Sequence, residues 1–126
     1  MHIAGYAAIF DVPDKGGDII RRGAFARSLT PGIPLLRQHD ARLKIGSVER
    51  LEEDGRGLRV IARVDPDAGI TPGQGLSFGY RVRDACKRTY RELKALDLIE
   101  ISVVTHPMQP LARVLAVHSE GDQDGL

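Results

Sequence analysis

Apolar and polar residues alternate in short runs along this chain, and turn-forming residues break the runs at regular intervals. That rhythm predicts strands rather than helices. Residues 3–10 read as a first strand, followed by a loop at Pro13-Asp14-Lys15-Gly16-Gly17-Asp18. Residues 23–29 read as a short helix, stopped by Thr30-Pro31-Gly32. Residues 33–38 predict a strand that delivers His39. Residues 45–51 and 58–64 alternate about the turn Glu53-Asp54-Gly55-Arg56, a hairpin signal. A Pro/Gly-rich loop covers 65–73, and residues 76–82 and 89–93 predict a second hairpin turning at Cys86. The run 96–104 is the most apolar and should be central; 112–117 reads as a last strand or the start of a helix. These elements predict a mainly β fold: a small antiparallel β-barrel with one or two short helices, a sandwich being the other solution. A closed barrel is preferred because closure removes exposed edges.

At 126 residues the chain is read as one domain, residues 1–118, with a flexible acidic tail at 119–126. Trp is absent, so the core must be built from Leu, Ile, Val and Ala. The net charge is +1, with acids and bases interspersed, and no basic stripe of the kind nucleic acid requires is visible. The cluster Arg81, Arg83, Lys87, Arg88 and Arg91 comes nearest, and a solvated hairpin face is the simpler reading of it. No apolar run approaches a membrane span, and the first residues do not form a signal peptide, so cytoplasmic residence is expected, with no membrane partner. Cys86 stands alone and can form no internal disulfide; its setting in Asp84-Ala85-Cys86-Lys87 reads as a turn, a poor place for a nucleophile.

Three polar residues interrupt the apolar runs. Ser77 lies in Gly75-Leu76-Ser77-Phe78-Gly79-Tyr80, where alternation puts its hydroxyl on the face opposite Leu76 and Phe78. His39 lies in Leu35-Leu36-Arg37-Gln38-His39-Asp40. Glu100 lies in Leu98-Ile99-Glu100-Ile101-Ser102-Val103, where alternation places Glu100 with Ser102 on one face and Ile99, Ile101 and Val103 on the other. A hydroxyl, an imidazole and a carboxylate on neighbouring strands can make a nucleophile, its base and the group that orients the base. Each also has a plainer reading: a surface serine, a strand-end histidine and a carboxylate turned to solvent. His39, Asp40 and His106 are possible metal ligands by type, but no pair has ligand spacing, so no metal or cofactor is expected.

Taken in order, these motifs resemble the HK97-type phage prohead (capsid maturation) protease family. The resemblance runs from about Gly5 to Ala116: Gly5-Tyr6-Ala7-Ala8-Ile9-Phe10, Gly17-Asp18-Ile19-Ile20, Gly23-Ala24-Phe25, the histidine motif with Ile45-Gly46, Gly57-Leu58, the serine motif, and residues 96–104 with Pro107. Each is weak alone; their joint order is specific. The resemblance implies a fold similar to the herpesvirus assembly proteases, with serine and histidine on adjacent strands. It implies Ser77 as nucleophile and His39 as base. In herpesvirus enzymes a second histidine completes the triad; no histidine lies mid-strand here, and Glu100 is substituted for it, with Asp97 and His106 behind. A backbone N–H from 105–109 is the candidate oxyanion donor. The implied activity is serine endopeptidase cleavage of the scaffold region of the major capsid protein, or of a separate scaffold protein, inside the assembling procapsid. Activity would be restrained by encapsidation or by formation of a homo-oligomer. The stretch 64–75 is short where family members carry a helix, and the chain ends soon after the last strand. Those departures favour the alternative, a non-catalytic capsid-assembly module that binds scaffold on the same barrel. An unrelated β-barrel binding protein is the third reading.

Overall fold

The most apolar run of the sequence becomes the strand around which the others are arranged. The computed structural model describes residues 1–119. Its strands, in chain order, are β1 (His2–Ile9), β2 (Asp18–Ile20), β3 (Pro34–Arg37), β4 (Asp40–Glu53), β5 (Gly57–Val64), β6 (Gly75–Lys87), β7 (Arg91–Val104) and β8 (Val114–His118). Along one edge β7 pairs antiparallel with β6. Along the other it pairs parallel with β2 at its start and with β3 at its end. Between those two partners the segment 24–28 takes the free backbone groups: Leu96 N–H donates to Ala24 O at 2.9 Å, and Leu98 N–H to Ser28 Oγ at 3.0 Å. A buried backbone must be satisfied on both edges, and β7 is.

From β3 the sheet continues through β4, β5, β1 and β8. Leu35, Leu58, Leu76, Leu93, Leu96 and Ile101 are fully buried, with Phe25 among them. Phe25 meets Phe78 edge-on, ring centroids 5.2 Å apart, an arrangement that favours aromatic pairs beyond their buried area. The side chain of Gln109 is buried below this core, clamping Ile9 by accepting from its N–H at 2.8 Å and donating to its carbonyl at 2.7 Å.

Four expectations are corrected. The strand path is not a closed barrel: it ends at β2 and β8, and β6 branches from β7. The start of β6 only approaches the chain ahead of β8, through an isolated bridge between Gly75 and Arg113 and single bonds such as Leu76 N–H to Ala112 O at 2.9 Å. Most of β6 leaves that approach to run out with β7 as a long two-stranded arm, so no second ladder can form. Residues 23–29 are not a helix but successive three-residue turns, in which Ala24, Ala26 and Ser28 donate to Arg21, Gly23 and Phe25. The Glu53 carboxylate accepts from Gly23 N–H at 2.7 Å and Phe25 N–H at 2.8 Å, holding the turns apart from helical continuation. The described helical structure is one 3-10 turn, Pro66–Ala68, within the expected loop. Residues 89–93 and 96–104 are not separate strands, and Cys86 lies inside β6, because the hairpin turns later, with Arg88 N–H donating to Tyr90 O. The expected acidic tail lies, beyond Ser119, outside the described residues. Among the described residues no helix is long and apolar enough to cross a membrane.

Gly57 opens β5 where it crosses β1, and a Cβ there would overlap the Ala8 carbonyl oxygen. Paired backbone cannot step aside as a flexible side chain can. Gly57→Ala should therefore cost about 1–3 kcal/mol, the usual scale of overpacking, read as a lower urea midpoint at unchanged slope.

Candidate active site

A strand that buries one face cannot also turn a carboxylate into the core, and β7 solves this with a bulge. Gly79 pairs with Glu100 while the next residue, Tyr80, pairs with Leu98, so Ile99 is an extra residue with no partner. Ile99 is 47% exposed. The extra residue changes the phase of the strand. Leu96 and Leu98 pack toward the core before the bulge, Ile101 and Val103 after it. Without it, strict alternation would put Glu100 on the face of Leu96 and Leu98. The sequence reading grouped Ile99 with Ile101 and Val103; the bulge removes it from that face. Gly79 then makes room, since any Cβ there would collide with Glu100 Oε1.

His39 does not lie on a strand. Arg37 of β3 pairs with Asp40 of β4, which leaves Gln38 and His39 as a two-residue turn. Both have positive φ, 54° and 59°. This is the backbone of a type I′ hairpin, for which Asn-Gly is the favoured pair. Placing Gln and His there costs of order 1–3 kcal/mol each, and such strain persists only when the surroundings fix it. They do. Gln38 N–H donates to Val103 O at 2.9 Å. Its side chain donates to Thr105 Oγ1 at 2.6 Å and accepts from Thr105 N–H at 3.0 Å. The His39 backbone N–H donates to Ser102 Oγ at 3.1 Å.

The turn sets the imidazole against Glu100. His39 Nδ1 lies 2.5 Å from Glu100 Oε1, and an ionised carboxylate only accepts, so Nδ1 carries the hydrogen and Nε2 is left to take a proton. The side chains are unequally covered: 42% of the imidazole is accessible against 9% of the carboxylate. Glu100 has a second partner, Ser102, whose hydroxyl donates to Oε2 at 2.6 Å. Ser102 is wholly buried and so ties the carboxylate and the His39 backbone together. The sequence reading placed Ser102 on the face of Glu100 but gave it no role; its spacing of two from Glu100 was the available signal.

Ser77 is the direct partner of Ser102 across β6 and β7, while Leu36 pairs with Ser102 from β3. Serine, carboxylate and imidazole therefore gather around one stretch of β7, with β6 and β3 on opposite sides of it rather than adjacent. Ser77 is 8% exposed, yet among the described residues its hydroxyl has no partner within the chain. Among the described residues no enclosed side-chain polar atom is left without a partner, so this hydroxyl reaches solvent. No hydrogen bond joins it to the imidazole among the described residues.

The other candidates fall away from this group. Asp97 is paired with Arg83 on the hairpin arm. His106 is exposed on the loop after β7, and His118 lies in β8 opposite His2. Arg42 donates to Asp40 and holds its carboxyl below the usual range, so Asp40 is committed there. Among the described residues no three His, Cys, Asp or Glu side chains gather as metal ligands. Within the loop proposed for oxyanion donors, the Thr105 N–H is already taken by Gln38.

A family model described as caudovirus prohead serine protease matches residues 1–124. This chain belongs to that family. Within the prohead protease family, the chain is similar to the Prohead protease of Enterobacteria phage HK97, 31% identical over 135 residues. That match covers 91% of this chain but 59% of the relative, so the chain spans about three-fifths of the phage protein's length. The fold is similar to that of the KSHV protease crystallised with a hexapeptide phosphonate inhibitor, with a TM-score of 0.64. The two share 9% identity, and the match covers 94% of this chain and 65% of the other. The prohead protease family is one of peptidases, as the motif order implied.

Removing the Ser102 hydroxyl leaves both the His39 N–H and one Glu100 oxygen short of a partner in a largely buried place. Ser102→Ala should cost about 1–3 kcal/mol in urea unfolding and speed hydrogen exchange at the His39 amide. A variant with wild-type stability and unchanged exchange would show that the bridge holds nothing.

Proposed function

We propose that this chain is a serine endopeptidase of capsid maturation. It would cleave the scaffold region of the major capsid protein, or a separate scaffold protein, within the assembling procapsid. The observation that carries the reading is the His39–Glu100 contact at 2.5 Å, with Ser77, whose hydroxyl has no hydrogen-bond partner among the described residues, paired across β6 and β7 with Ser102. Family membership supplies the reaction class.

In this reading Ser77 Oγ attacks the scissile carbonyl and His39 Nε2 takes its proton. The carbonyl carbon gains the Ser77 oxygen, and the tetrahedral adduct collapses as His39 returns the proton to the leaving amine. Water then attacks the acyl-enzyme, giving one proton to His39, and Ser77 leaves with it. Glu100 keeps Nδ1 protonated and offsets the charge that forms on the ring. The hydroxyl and imidazole need meet only around substrate, since catalytic hydrogen bonds often tighten first in the Michaelis complex. The exposed imidazole on a clamped turn is suited to that small adjustment.

The test is co-expression with a major capsid protein as candidate substrate, reading the capsid protein's mass. Ser77→Ala and His39→Ala should each abolish processing, a loss of several orders of magnitude in rate. The double variant should be little worse than either, because the members act as a unit. Glu100→Gln should fold and lower turnover by less than loss of the serine. Processing by Ser77→Ala at the wild-type rate would end the serine reading. An unprocessed capsid protein that nonetheless co-purifies with the wild-type chain would favour the scaffold-binding module.

A further inference from the structure

We propose that the cleft beside this site selects an acidic side chain of the peptide substrate, and that Arg37 and Arg113 read it. The proposal rests on the peptidase reading above and names the substrate feature that reading leaves open. The cleft has a volume of about 590 Å³ and is lined by Arg37, Gln38, Gln74, Gly75, Thr105 and Arg113, among others. That size is in the range of small-ligand sites. It opens from the elements that carry the site. Gln38 precedes His39 in the turn, Gly75 lies two residues before Ser77 on β6, and Val103 and Val104 follow Ser102 on β7. A peptide held at Ser77 and extended toward the start of β6 would reach it.

The charge in this cleft is unbalanced. Arg21, Arg42, Arg59, Arg83, Arg88 and Arg91 each meet a carboxylate elsewhere in the fold. Among the described residues Arg37 and Arg113 do not. Arg37 donates to the Ala68 carbonyl. Arg113 donates through Nε to Pro110 O at 2.7 Å and through one terminal nitrogen to Gly73 O at 3.0 Å. Carbonyl acceptors orient a guanidinium without neutralising it, and each arginine keeps donors to spare out of its five N–H groups. No acidic residue lines the cleft, and its remaining polar lining, Gln38, Gln74 and Thr105, is neutral. Two forks held in place inside a concave surface favour a carboxylate, which they can bind bidentately. A nucleic acid is the weaker match: no lysine and no aromatic ring lines the cleft for phosphate tracking or base stacking.

The experiment digests a defined peptide library with the full chain and reads cut sites by mass spectrometry. A parallel arm measures anisotropy of fluorescein-labelled Ala-Ala-Leu-Glu-Ala-Ala, and of its Lys counterpart, on the Ser77→Ala protein. Cut sites should be enriched in Asp or Glu at one fixed position. In an Arg37→Glu/Arg113→Glu chain, kcat/KM for the acidic peptides should fall about 10–200-fold, mostly through KM, and the same position should now prefer Lys or Arg. An Arg37→Gln/Arg113→Gln chain should lose the preference without reversing it, which serves if the charge-reversed chain does not fold. The acidic peptide should bind the Ser77→Ala protein at least about tenfold more tightly than its Lys counterpart, a difference the Gln variants remove. Cleavage without acidic preference, or a preference that survives charge reversal, overturns the pocket and leaves the peptidase reading standing. Absence of cleavage with acid-selective binding overturns the peptidase reading alone. Equal binding of both peptides, or tighter binding of labelled single-stranded DNA than of the acidic peptide, overturns the proposal.

Discussion

A carboxylate in the middle of an apolar strand has to be satisfied, and the arrangement around Glu100 follows from that demand. The bulge at Ile99 turns it off the core face, Gly79 leaves it room, Ser102 bonds one oxygen and His39 the other. Each partner is in turn fixed by something else. Ser102 lies in the most buried stretch of β7, and His39 sits on a turn whose backbone no Gln-His pair would choose unaided. The turn is held because Gln38 bonds both β7 and the loop beyond it. Strain in the turn and burial of the acid are thus two sides of one arrangement: the contacts that pull the turn into place are also those that satisfy the acid's surroundings.

Much of this was legible as pattern. Alternation across 45–64 gives the hairpin of β4 and β5, and the apolar run 96–104 gives the central strand. The polar residues inside such runs, Ser77, Glu100 and Ser102, all lie on the face away from the core, as alternation predicts for Glu100 and Ser102. What pattern could not supply was geometry made by distant partners. The parallel pairing of β2 and β3 with β7 leaves no local signal. The turn at Gln38-His39 contains none of the residues that usually announce it. Residues 23–29 have a helical composition, but a carboxylate from Glu53 decides otherwise. Arg37 and Arg113 share a cleft only because the loop before β8 returns to the start of β6.

The long arm of β6 and β7 shows how differently the same residue types behave when they are balanced. Three of its basic residues are matched: Arg83 with Asp97, Arg88 with Glu92, Arg91 with Asp18. The Arg91 guanidinium holds the Asp18 carboxyl below its usual range, and Arg21 does the same for Glu92. These pairs contribute little each in water, but they place a carboxylate beside three of the five basic residues that cluster in the sequence.

The distance along the chain between the members of the site has a kinetic meaning. His39 and Glu100 are 61 residues apart, and His39 and Ser102 are 63 apart, joined through strands that run parallel and so cannot form by local zipping. Pairings of this kind require closure of long loops and form late in folding. During synthesis the histidine turn emerges long before the strand that gives it a carboxylate. No nascent fragment short of β7 can hold the His39–Glu100 pair, so the proposed activity would be absent until nearly the whole domain has been translated and folded.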